Sequence, residues 1–178
     1  SPIGRQAGDA AGLSPWHGGR RATSTRGGHA MRQLVYALRF TGRATPAGPD
    51  GSVLAVTATA AGATLAASVG PAGLASDRRP AAGGEAAFAA ELTITGETSY
   101  QEVGTVSFGH GHRLRFATVG SGYLGAGPDP ARRHGAAVWR VEGGEGQFAG
   151  ARGLITSNVV VGADLAVTDH HLGVIYLP

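Results

Sequence analysis

The sequence predicts an all-β protein, a closed antiparallel β-barrel of about eight or nine strands, and three observations carry that prediction. Apolar and polar residues alternate at period two from Leu34 towards the C-terminus, the spacing that puts every second side chain on one face of a strand. Gly-, Pro- and Asp-containing turns separate the alternating segments, as in a meandering antiparallel chain. No segment is convincingly amphipathic at helical spacing, and an open sheet of this size would expose a hazardous edge that closure removes.

Taken in order, residues 34–40 form the first strand, with Leu34, Tyr36, Leu38 and Phe40 on one face and Val35, Ala37 and Arg39 on the other. Residues 52–60 and 63–69 follow, separated by an Ala-Gly turn, and a Pro/Gly/Arg loop spans 70–84. Residues 86–96 alternate Leu92 and Ile94 with Glu91, Thr93 and Thr95; an Ala-rich helix over 86–92 or near Ala72 is the local alternative. Residues 100–108 come next, then 112–119, a half-polar strand with His112, Leu114 and Phe116 opposite Arg113 and Arg115. A Gly/Pro loop over 120–135 leads to strands at 136–142, 148–161 and 165–177, the last two rich in β-branched residues.

Composition bounds the function. A chain of 178 residues has room for one ordinary domain, which buries about two-thirds of its surface without any staple. The absence of cysteine excludes thiol catalysis, Cys-ligated zinc and disulfides. Residues 1–30 hold Arg5, Arg20, Arg21 and Arg26 against Asp9, whereas residues 31–178 hold 11 Arg and 11 Asp plus Glu. The folded part therefore has no charge excess for a phosphate backbone, and nucleic acid is not expected as a partner. Basic residues are Arg without Lys, and Ala and Gly abound, the bias of a GC-rich genome. Residues 1–30 carry too few large apolar groups to offset their ordering entropy and read as a disordered tail, an Arg- and Ser-rich targeting peptide being the rival reading. The domain then runs over 31–178, with the lone Met31 where patterning begins. No run approaches the roughly 18 apolar residues of a membrane span, so a soluble, cytoplasmic protein is the expectation.

Several motifs need weighing. Gly120, Gly122 and Gly125 match the dinucleotide-binding glycine spacing, but Pro128 and Pro130 follow where a helix N-terminus would have to hold the pyrophosphate. No cofactor is implied. His110 and His112 resemble the opening of a cupin metal motif, yet Arg113-Leu114-Arg115-Phe116-Ala117 stands where that family has a Glu, so no metal ligands are assigned. Among Glu91, Glu97, Glu102, Glu142, Glu145 and Asp169, Glu102 stands out because its strand face otherwise carries Gly104, Val106 and Phe108. A carboxyl against apolar neighbours gains proton affinity and becomes an acid or base near neutrality. Asn158 lies in the β-branched run 154–161, where a buried amide needs partners. In the last strand Asp169 and His171 share a face with Val167 and Ile175, and His170 shares one with Leu172, Val174 and Tyr176. Either choice of interior face brings a histidine inside.

The passage Gly143-Gly144-Glu145-Gly146-Gln147-Phe148-Ala149-Gly150-Ala151-Arg152-Gly153, preceded by Trp139-Arg140-Val141-Glu142, resembles the strand, Gly-rich hairpin, aromatic, Ala-Arg-Gly passage of the allene oxide cyclase and dirigent barrel superfamily. The match covers 138–157. Glycines there supply tight connections, and Phe148 plugs a barrel end. The resemblance implies a calycin-type barrel with an apolar cavity, often a homo-oligomer (dimer or trimer), whose relatives include cyclases and stereochemistry-guiding proteins. It carries over no catalytic residues.

The leading expectation is a barrel that holds a small apolar or polyketide-like molecule in a reactive conformation and so promotes cyclisation or isomerisation. Glu102 and His112 are the candidate catalytic acid/base residues, and Tyr36, Arg115, Asn158 and His170 the candidate substrate contacts, with Arg115 or Asn158 polarising a carbonyl. His112 and Arg115 are three apart, so at most one of them faces inward. A non-catalytic ligand carrier, which an interior without ionisable groups favours, and a cupin-like metal enzyme are the alternatives.

Overall fold

The computed structural model describes residues 31–61, 63–80 and 83–178; the expected tail lies outside them. The chain forms strands β1 (Arg32–Pro46), β2 (Val53–Ala60), β3 (Ala63–Gly70), β4 (Gly73–Pro80), β5 (Ala86–Ile94), β6 (Ser99–Ser107), β7 (Arg113–Thr118), β8 (Gly122–Ala126), β9 (Arg132–Glu145), β10 (Arg152–Gly162) and β11 (Ala166–Leu177), with a 3-10 turn at Gly146–Phe148. Strands β10, β11, β1, β2, β5, β6, β7 and β9 are neighbours in that order, and β9 pairs with β10 to close an eight-stranded antiparallel barrel. The short β8 pairs with β6 at Ser99 and Tyr100 and with β9 at residues 133–136, filling the gap beyond the end of β7. Strands β3 and β4 form a separate hairpin in the connection from β2 to β5. Among the described residues no helix is long and apolar enough to cross a membrane.

Two expectations are corrected. The loops assigned to 70–84 and 120–135 contain β4 and β8. Neither segment alternates strongly by itself; each is strand because a neighbouring backbone offers it a ladder. Residues 86–92 are strand throughout, since alternate burial of Ala86, Phe88 and Leu92 secures more for that segment than alanine's helix propensity.

Alternation decides what enters the core. Phe40, Phe88, Phe116, Trp139, Ile155 and Ile175 point inward from six different strands. Phe88 stacks on Phe116 and Trp139, both with ring centroids 5.6 Å apart, pairs worth about 0.5–1.5 kcal/mol each beyond their burial. The aromatic layer fills the barrel's waist. One end is plugged by Phe148, against Phe108 at 5.3 Å, with Phe108 in turn against Tyr36 at 5.2 Å. The opposite end stays open, and the candidate site lies there.

Candidate functional site

A cavity of about 350 Å³ opens at the end of the barrel where β1 leaves, β6 enters and β10 turns into β11. Its walls are apolar: Leu54, Val56, Phe88, Leu92, Val159, Val161 and Val167 line it. Its polar groups come from two of the strands. Tyr100 and Glu102 project from β6, and Asp169 projects from β11. Arg132 and Arg133 stand at the mouth, at the start of β9. Arg132 is paired with Asp129 at 3.2 Å. Arg133 donates to the backbone carbonyls of Leu124 at 2.7 Å and Glu97 at 3.3 Å, tying together two segments of the rim.

Glu102 is 5 % exposed. Its backbone is fixed by Thr118, whose hydroxyl accepts from the Glu102 N–H at 2.8 Å and donates to the Glu102 carbonyl at 3.0 Å. The carboxyl itself faces the cavity. Burial first, and then the nearby negative charge of Asp169, push its pKa up to about 8, against a smaller opposing pull from the Trp139 indole N–H. That indole reaches toward the carboxyl without closing a hydrogen bond, and its nitrogen has no partner among the described residues. At neutral pH Glu102 therefore holds its proton and can donate it; above about pH 8 it becomes a desolvated carboxylate able to accept one.

Asp169, by contrast, is anchored. The Ser157 hydroxyl lies 2.7 and 2.9 Å from its two oxygens, and the His171 Nε2 lies 3.0 Å from Oδ2, at ion-pair distance though bent away from hydrogen-bond geometry. The imidazole is clamped among aromatic rings, with Phe40 at 4.4 Å, Trp139 at 4.8 Å and Phe88 at 5.2 Å. Ser, His and Asp meet here without forming a nucleophilic triad, because the hydroxyl is committed to the carboxylate and not to the imidazole. Deeper still, the Tyr36 ring lies flat over Gly173, where a Cβ would sit 2.1 Å from Cε1. Its buried hydroxyl has no hydrogen-bond partner among the described residues, and burial followed by the Asp169 charge raises its pKa well above the ordinary phenol value.

Of the residues the sequence nominates, Glu102 faces the cavity and Tyr36 lies in the core toward the plugged end. The other four are outside. His112 is exposed in the turn before β7, where its Nδ1 accepts from the Gln147 N–H at 3.0 Å. Arg115 is exposed on β7, whose inward positions are Leu114 and Phe116. Asn158 and His170 are exposed and face each other across the β10–β11 ladder on the outer surface. Their expected place in the cavity is corrected by the register: β10 buries Ile155 and Ser157, and β11 buries Val167, Asp169, His171 and Ile175.

The interior polar set that sequence reasoning did not choose is Asp169, His171, Ser157, Tyr100 and Trp139. The shared face of Asp169 and His171 was visible in the alternation, but Leu172, Val174 and Tyr176 made the opposite face equally apolar. Among the described residues no three His, Asp or Glu side chains are grouped to hold a metal ion; His110 and His112 lie near the plugged end, away from Asp169 and His171. No family model, no curated protein and no solved structure matches the chain.

Proposed function

We propose that the barrel binds a small, largely apolar molecule in the open-ended cavity and promotes its cyclisation or isomerisation, the walls holding a reactive conformer and Glu102 transferring the proton. The observation that carries this reading is the placement of a proton-retaining carboxyl inside an otherwise apolar cavity of about 350 Å³, the combination of shape and tuned acid that such chemistry uses. The resemblance of residues 143–153 to allene oxide cyclase and dirigent barrels supports it as well. Keeping Glu102 and Asp169 buried is costly in desolvation unless a ligand or a reaction exploits it.

The test uses two probes. The neutral dye prodan reports occupancy of the cavity by its fluorescence, and 5-nitrobenzisoxazole reports proton transfer by ring opening to its isomeric cyanophenol. The wild-type protein is expected to bind prodan and to accelerate the ring opening, with the rate climbing as pH rises through about 8, where Glu102 gives up its proton. Glu102→Gln should keep prodan binding and lose roughly 10²-fold or more of the acceleration. Val161→Trp, which fills the cavity from its lining, should lose both. Prodan binding without acceleration would remove the catalytic part of the proposal, and absence of prodan binding would remove it altogether.

A further inference from the structure

Resting on the reading of the cavity as a ligand site, we infer that its ligand is an apolar molecule bearing one cationic group, an amine protonated at neutral pH, seated between the carboxyls of Glu102 and Asp169. Two acidic side chains, each 5 % exposed, line one cavity, and the arginines in its lining, Arg132 and Arg133, stand at its mouth. Among the described residues no side chain closes a hydrogen bond or ion pair with the Glu102 carboxyl, although it is nine-tenths buried and faces the cavity. Asp169 also lines the cavity, with the Ser157 hydroxyl 2.7 and 2.9 Å from its two oxygens and the His171 Nε2 3.0 Å from Oδ2.

The same electrostatics that makes Glu102 retain a proton favours any other positive charge in that place, because both relieve two carboxyls held in a low-dielectric setting. The walls suit such a guest. Phe88 and Tyr100 are among its lining residues, and a cation near an aromatic ring gains further when desolvated. The mouth arginines do not reverse the sign. Arg132 is exposed and neutralised by Asp129, Arg133 is engaged by two backbone carbonyls, and charges in contact with water are screened far more than buried ones.

Three naphthalenes of nearly equal size separate the possibilities: 1-naphthylmethylamine, 1-naphthylmethanol and 1-naphthoic acid, each titrated against bound prodan at pH 7. The amine is expected to bind at least tenfold more tightly than the alcohol, and the acid most weakly. Calorimetry in buffers of different ionisation enthalpy should show a proton released as the amine binds, since Glu102 enters the pair as a carboxylate. Glu102→Gln, which matches the shape of the protonated side chain, should cost the amine tenfold or more and leave the alcohol within threefold; a melting curve in parallel shows that the variant is folded.

Equal binding of amine and alcohol would overturn the inference while leaving the cavity as a ligand site. Tightest binding of the acid would overturn it in favour of the mouth arginines. Failure of prodan itself to bind would remove both this inference and the function on which it rests.

Discussion

Glu102 shows how one residue's surroundings set both its chemistry and its effect on stability. Its pKa is near 8 in the folded protein and near the ordinary carboxylate value of about 4.3 in the unfolded chain. Between those values the folded state binds more protons than the unfolded one, so folding stability falls as pH rises through this window. The stabilisation is fully present below about pH 4 and lost above about pH 8, and it amounts to about 5 kcal/mol. Glu102→Gln should abolish this part of the slope, matching wild type near pH 4 and exceeding it near pH 8.5, as read by urea unfolding at several pH values. Identical slopes for the two proteins would refute the assignment of a buried, proton-retaining carboxyl. This residue was legible in the sequence because Gly104, Val106 and Phe108 share its face. His171 was not, since the two faces of residues 165–177 are equally apolar and only pairing decides between them. Leu38 lies opposite His171, and Tyr36 opposite Gly173. That second pairing works because a glycine leaves room for the phenol ring, a match of sizes that no single strand displays.

At the scale of elements, the passage from β9 to β10 carries most of the barrel's closure. Gly146–Phe148 forms a 3-10 turn, Phe148 swings inward, and β10 begins only at Arg152, so the strand expected to start at 148 starts four residues later. Gly153 has φ +143°, and a Cβ there would lie 2.2 Å from the Val174 carbonyl oxygen of the paired strand. Gly153→Ala therefore combines a backbone conformation unsuited to L side chains with a clash against main chain that cannot move aside. It is expected to lower the unfolding free energy by roughly 2–4 kcal/mol. Gly70→Ala, at the β3–β4 turn where nothing lies within 4 Å, should change it by less than about 0.5 kcal/mol. Comparable losses for the two variants, measured by denaturant unfolding, would show that the closure does not depend on this approach of β10 to β11. The sequence disclosed this hairpin through its glycine spacing, whereas β8 left no such mark. Its five residues, Gly-Tyr-Leu-Gly-Ala, become strand through the free edges that β6 and β9 present where β7 stops.

For the whole molecule, the decisive property is that the two ends of the barrel are built differently. Phe148, Phe108 and Tyr36 seal one end, while the other leaves a cavity above Glu102 and Asp169. Stability and binding should therefore separate under mutation. Phe148→Ala removes a side chain that is 2 % exposed and should lower the unfolding free energy by about 3–5 kcal/mol. Because Phe148 does not line the ligand cavity, the same variant, kept below its melting temperature, should bind prodan within threefold of wild type. Val161→Trp should behave in the opposite way, with prodan binding lost and the fold retained, since its side chain is half-buried at the open end. If Phe148→Ala weakened prodan binding tenfold while remaining folded, the aromatic waist of Phe40, Phe88, Phe116 and Trp139 would have to transmit a change from one end to the other. A core packed as tightly as this one, with ring centroids between 4.3 and 5.9 Å apart, could do so only by shifting as a unit. The dye at the open end, free of contact with the plug, would then be reporting the position of Trp139, whose indole points at Glu102.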